Sequence, residues 1–242
     1  MKTIIQVLFV ALLTPMVSCS QIDFNKLGKN INKDINSYQK KPLSNDEIIS
    51  GLKEALTVGS NNASAAASKP DGYFKHPVIK IPFPPEAQQM ESTLRSIGMN
   101  KQVDDFVLTM NRAAEEAAKQ AAPVFIDAVK KMTITDGLTI LKGSDTAATG
   151  YLRKTTSPQL HDGFKPTIKT ATQKVEVTKY WTPLVSAYDK IPFVTKINPD
   201  LDEYITQRAL SGLFYLVSQE ETKIRKDPAA QVTDLLKRVF GK

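Results

Sequence analysis

The sequence predicts an all-α protein, a multi-helix bundle, and three observations carry that prediction. The apolar/polar alternation of a half-buried strand is almost absent along the chain. Helix-start signals recur from Ser44 onward. Behind those signals, apolar residues return at three- and four-residue spacing, which places them on one helical face.

The first helix begins at Ser44-Asn45-Asp46-Glu47, a capping box, with Ile48, Leu52, Ala55 and Leu56 following at helical spacing. Lys69-Pro70-Asp71-Gly72 is turn chemistry that ends it. Val78 to Phe83 reads as extended, and Pro82, Pro84 and Pro85 bar it from an inner strand. A helix over Glu86 to Ile97 stops at Gly98. Val103, Phe106, Val107 and Met110 line one face of the next, which runs through alanines toward Pro123, a kink or fresh start for Val124 to Met132. Thr135 to Leu141 stops at Gly143, and Asp145 is placed to cap Thr146 to Lys154. Ser157-Pro158, Asn198-Pro199 and Asp227-Pro228 each read as an N-cap residue followed by proline at the first helical position.

Ahead of this body lies an export signal. Lys2 is followed by a nearly uninterrupted apolar run from Ile4 to Val17, and Met16-Val17-Ser18 precedes Cys19, the only cysteine. The pattern is that of a bacterial lipoprotein, the alternative being an ordinary signal-peptidase site that happens to contain a cysteine. Residues 1–18 are the signal peptide, Cys19 is the lipid-attachment residue, and residues 19–43 are a polar tether to a helical domain over 44–242. Ser20, where some bacteria use aspartate to retain a lipoprotein at the inner membrane, points to the periplasmic side of the outer membrane. With Cys19 acylated, no thiol remains for a disulfide, a thiolate metal site or a nucleophile. There are 32 Lys and Arg against 25 Asp and Glu, a net charge of +7 that falls to +6 once Lys2 leaves with the signal. The basic residues are dispersed and lack interleaved aromatics, which argues against nucleic acid as a partner.

The halves of the body echo each other. Lys80-Ile81-Pro82-Phe83 recurs as Lys190-Ile191-Pro192-Phe193. Val103-Asp104-Asp105-Phe106-Val107 matches Leu201-Asp202-Glu203-Tyr204-Ile205, and Thr135-Asp136 matches Thr233-Asp234, both at an offset of 98 residues. An internal duplication over 44–143 and 157–241 would produce this, with a groove between the halves as the first place to look for a ligand. Chance reuse of helix starts and stops is the alternative.

Several segments also carry a resemblance. They include Ser68-Lys69-Pro70-Asp71-Gly72-Tyr73-Phe74, Ile79-Lys80-Ile81-Pro82, Asn111-Arg112-Ala113-Ala114-Glu115 and Asp145-Thr146-Ala147-Ala148-Thr149. Arg153-Lys154-Thr155-Thr156, Leu213-Phe214-Tyr215 and the stretch from Ile224 to Ala230 with Thr233-Asp234-Leu235-Leu236 complete the set. Over roughly Ser44 to Gly241 the sequence resembles a bacterial family of exported proteins catalogued as domain of unknown function 4197. The resemblance implies an exported, mostly helical protein and supplies no activity or catalytic residues.

The residues themselves point away from catalysis. His76 and His161 stand apart, without the spacing that puts two metal ligands on one helical face, and the sequence suggests no metal or other cofactor. Asp104, Asp105, Asp202 and Glu203 read as first-turn acids that complement the helix dipole, and Glu115 and Glu116 as local ion-pair partners of Arg112. No nucleophile elbow, phosphate loop or dinucleotide fingerprint is present. The candidates for binding are Arg112 with Asn111 and Glu115, then Arg153 and Arg225, whose guanidinium forks suit an anionic ligand or, alternatively, tie helices together. Tyr73 and Trp181 belong to an aromatic set that either lines a groove or plugs the core. The expectation is a non-enzymatic binding or scaffolding module for an envelope protein or ligand. The alternatives are a hydrolase or metal-assisted enzyme using carboxylates between the halves, and a carrier of a lipid or other apolar molecule.

Overall fold

The computed structural model describes residues 43–174, 177–194 and 200–240. The expected signal peptide, nearly all of the tether and the Asn198-Pro199 start lie outside the described residues. Of the described residues, 79% are helical, in nine α-helices and two 3-10 turns with no strand, so the all-α bundle is what the chain forms.

The helix α1 (Asn45–Ser68) opens on the capping box read from the sequence: Ser44 Oγ accepts the Glu47 amide and Glu47 accepts the Ser44 amide. A 3-10 turn (Pro85–Ala87) leads into α2 (Gln88–Ser96), which gives way to Gly98 at a φ of +90°, a conformation glycine adopts without steric cost. The helix α3 (Asn100–Ala118) begins earlier than its apolar face suggests. Asp104 and Asp105 therefore fall beyond the first turn, and they pair with Arg95 and Lys101 instead of capping the helix. Pro123 sits in the first turn of α4 (Ala121–Lys131), where its missing N–H is harmless. Next comes α5 (Ile134–Lys142), held by a second capping box of Thr133 and Asp136. Val78 and Ile79 lie in a turn over residues 77–79, not in extended chain, because His76 Nδ1 accepts both of their amides.

The largest departure is α6 (Ala147–Lys174), which carries Pro158 and Pro166 in its interior. Ser157 does not cap a new helix; its hydroxyl donates to the Arg153 carbonyl at 2.6 Å while the helix runs through. An interior proline costs about 3 kcal/mol. Against that, Leu152, Thr156, Leu160, Phe164 and Ile168 are buried at four-residue intervals. Burying the four large apolar side chains of this stripe contributes about 1.5–3 kcal/mol each, at least as much as the two prolines remove.

After α7 (Val177–Tyr188) the long helix α8 (Leu201–Lys226) starts at Asp200, whose side chain accepts the Glu203 amide. Asp227 caps a 3-10 turn (Pro228–Ala230) as its Asp-Pro pair predicted, and α9 (Asp234–Phe240) follows. The helix α8 packs chiefly on α1 and α6, and α3 packs on α6, enclosing one large apolar cluster.

The sequence echo carries over to local structure at one anchor, where residues 103–107 and 201–205 both lie in the opening turns of a helix, and not at the other two. Phe83 is buried, whereas Phe193 is fully exposed with a φ of +65°. Thr135 lies inside α5, whereas Thr233 precedes α9 and accepts the Leu236 amide.

Candidate functional site

Residues 69–83 pass across α3, and the polar residues of α3 hold them there. The chain leaves α1 through Asp71, which adopts a φ of +67°, and Gly72, where a Cβ would overlap the carbonyl oxygens of Ala66 and Ala67. This tight exit turns the amides of Tyr73 and Phe74 toward α3, where Glu115 Oε1 accepts both, at 3.1 and 3.2 Å. Arg112, one turn earlier, donates to Glu115 Oε2 at 2.6 Å and to Asp71 Oδ1 at 2.7 Å, joining the turn to the helix. The Glu115 bond is the leading cause holding the guanidinium above its ordinary pKa. Lys75 first, then Arg112, hold the Asp71 carboxyl below its own ordinary value.

Asn111 acts like a short piece of strand. Its Oδ1 accepts the Ile81 amide at 2.8 Å and its Nδ2 donates to the Ile81 carbonyl at 2.9 Å and to the Val107 carbonyl at 2.8 Å. These bonds satisfy an irregular buried segment that has no strand neighbour. Tyr73 is fully buried, donates its hydroxyl to the Ala209 carbonyl at 2.6 Å and lies against Gly212, where a Cβ would stand 2.7 Å from the ring. Burial pushes that phenol well above its ordinary pKa. Trp181 stacks at 4.9 Å from Phe106 and 5.8 Å from Phe83. Asn111, Tyr73 and Trp181 are therefore part of the packing, out of reach of a ligand on the surface.

Beside this junction the surface opens into a cleft of about 540 Å³ lined by Ser68, Pro70, Arg112, Glu115, Glu116, Lys119 and Ala171. Arg112 forms its wall and Glu116–Lys119, an ion pair at 2.6 Å, its rim. Of the sequence candidates, Arg112 and Glu115 meet here. Arg153 stacks on Phe214 at 4.5 Å, and Arg225 belongs to a separate cluster.

A family model described as a protein of unknown function (DUF4197) matches residues 42–241. The chain belongs to the DUF4197 family. No curated protein and no solved structure matches it. In this DUF4197 chain, the segments by which the sequence resembled the family meet as partners. The turn Ser68 to Phe74 docks on Asn111 to Glu115, and Asp145 to Thr149 docks on the end of α8.

That second docking point turns on Glu221, an acidic residue to which the sequence alone assigns no specific role. It is buried on α8 and accepts the Ala148 amide at 2.9 Å and the Thr149 amide and hydroxyl at 2.7 and 2.8 Å, so it caps α6 from another helix. Arg225, one turn on, donates twice to Glu221 and once to the Ile140 carbonyl near the end of α5. The only sequence signal was the Glu-x-x-x-Arg spacing; a cap 72 residues distant leaves no local trace.

His161 also gains a partner the sequence did not suggest. Its Nε2 lies 3.0 Å from Glu203 Oε1, while Asp162 stands 3.6 Å from Nδ1. Lys165, then His161 and Gln207, hold the Glu203 carboxyl down to about 2. This network joins α6 to the start of α8. Among the described residues no three His, Cys, Asp or Glu side chains come together in a way that would hold a metal ion.

Proposed function

We propose that this DUF4197 protein is a lipid-anchored component of the bacterial cell envelope, whose helical body is a non-enzymatic binding module using the Arg112 cleft. The observation that carries the reading is the state of Arg112. Two carboxylates fix its guanidinium on the wall of a cleft in the size range of ligand sites, yet the side chain stays 35% exposed. A cation immobilised in advance loses little freedom on binding, which favours a carboxylate- or phosphate-bearing group of an envelope partner. What supports the anchor and location is the signal pattern with Cys19, and Ser20 beside it favours the periplasmic face of the outer membrane.

A hydrolytic reading has less support. Glu115, the most deeply set carboxylate of the cleft, is occupied by two backbone amides and Arg112. The carrier reading has less still, since the apolar cavity lined by Leu52, Leu56 and Val217 measures about 20 Å³, far below an acyl chain.

The test is photo-crosslinking in native envelopes, with the reactive side chain installed at position 119 on the cleft rim or, as a control, at exposed position 97. A discrete adduct from position 119 that disappears with Arg112→Ala supports the module. Identical, Arg112-independent patterns from both positions sink it.

A further inference from the structure

The charges around the Arg112 cleft balance. Its lining carries Arg112 and Lys119 against Glu115 and Glu116, and the turn beside it adds the Asp71–Lys75 pair, 2.8 Å apart. The positive excess of the whole chain, 32 basic against 25 acidic side chains, is therefore not gathered at this opening. A polyanion, which is drawn to an uncompensated row of cations, matches it poorly. None of the lining side chains is aromatic, so a flat ring finds no stacking face there either. A ligand carrying both signs of charge fits better, and the cleft holds a receptor for each.

The receptor for a carboxylate is Arg112. One of its N–H groups goes to Glu115 at 2.6 Å and another to Asp71 at 2.7 Å, which locks the fork in place. A guanidinium has five such donors, so others remain for a ligand. The receptor for an ammonium group is Glu116 together with the end of α1. Glu115 cannot serve, because it is buried and already holds the Tyr73 and Phe74 amides and Arg112. Glu116 is half exposed, and its side chain meets only Lys119, an exposed lysine of the same helix. Such a surface pair contributes little, so a ligand ammonium displaces Lys119 at small cost. Ser68, the last residue of α1, lines the same cleft, and no basic side chain in that last turn meets the negative end of the helix dipole. Arg112 and Glu116 stand one helical turn apart, about 5–6 Å between Cβ atoms, which is the scale of one or two residues of extended chain at about 3.3–3.6 Å each.

We propose that the cleft binds a short peptide by its two free ends, the carboxylate on Arg112 and the ammonium group at Glu116 beside the last turn of α1. The small side chains of Ser68, Pro70 and Ala171 leave room for the peptide between them, in a cleft of about 540 Å³. This rests on the reading of the Arg112 cleft as a binding site and names its ligand class.

The test is a ligand-observed NMR titration of the full chain in detergent micelles with alanyl-alanine, its N-acetylated form and its C-amidated form. The expected result is saturable binding of the free dipeptide, weakened about tenfold or more by blocking either end, as the loss of one charge-assisted hydrogen bond requires. Glu116→Gln should weaken the free and amidated dipeptides and leave the acetylated one unchanged. Arg112→Ala should weaken the free and acetylated forms and leave the amidated one unchanged. Glu116 lies on the surface, so its variant stays informative even where Arg112→Ala loosens the docked turn. An acetylated dipeptide that binds as tightly as the free one, or a silent Glu116→Gln, overturns the proposal and leaves a simple anion site in place. No saturable binding of any form overturns it as well. An Arg112-dependent crosslink from position 119 would then still uphold a binding module for another ligand, and its absence would sink both.

Discussion

Glu115 on α3 and Glu221 on α8 perform the same operation in different surroundings. Each accepts two consecutive backbone amides from a distant stretch of chain, and each leans on an arginine of its own helix. The carboxylates are equally deep, at 5% exposure. The arginines are not: Arg225 is 12% exposed and Arg112 is 35%. Arg225 uses its remaining reach on a carbonyl near the end of α5, completing a closed joint among three helices. Arg112 reaches instead to Asp71 on a turn and presents an edge to an open cleft. The same chemical device thus gives a sealed joint in one place and a surface joint in the other. Only the second leaves a charged group where a partner can meet it.

The comparison sharpens from the most damaging substitution to the mildest. Glu221→Ala strands the Ala148 and Thr149 amides and leaves Arg225 without its carboxylate, so chemical denaturation should register a loss of about 3–5 kcal/mol. Glu115→Ala strands two amides as well, but Arg112 keeps Asp71 and water. The expected loss is about 2–3 kcal/mol. A larger loss at Glu115 than at Glu221 would reverse the ranking of sealed over surface joint. Asn111→Ala removes both bonds to Ile81 and should cost about 2 kcal/mol while leaving the α6 cap intact, which amide exchange at Ala148 and Thr149 would report.

The mildest effect belongs to the exposed network at His161. The Glu203 carboxyl is held at about 2, below its ordinary value of 4.5. Its stabilisation is therefore complete above the unfolded value and is lost as pH falls from there through about 2. Solvent screening of this half-exposed network keeps the contribution under about 1 kcal/mol. Glu203→Gln should lower stability slightly at neutral pH and flatten its decline across that acid window. An unchanged acid limb in the variant would show that other carboxylates control it.

Much of this was legible in the sequence where the cause is local. The Ser44 capping box, the Asp71-Gly72 exit and the Gly98 stop depend on a few adjacent residues, and each appears where the pattern put it. Helix continuity at Pro158 was not legible, because a long-range stripe of buried side chains overrides a local breaker. At the site, Asn111, Arg112 and Glu115 were recognisable as a polar group on an otherwise apolar helix, but not what they hold, since their partners lie 30 to 42 residues away. Glu221 was hidden for the same reason. Tyr73 and Trp181 read more readily as core than as groove lining, and their burial places both in the core.

The contrast between one sealed and one surface joint meets its sharpest test in native-state hydrogen exchange at the four amides the two glutamates hold. Ala148 and Thr149 should exchange only through global unfolding, while Tyr73 and Phe74 exchange faster through local opening of the turn beside the cleft. Equal protection at both pairs, or faster exchange at Ala148 and Thr149, would contradict it.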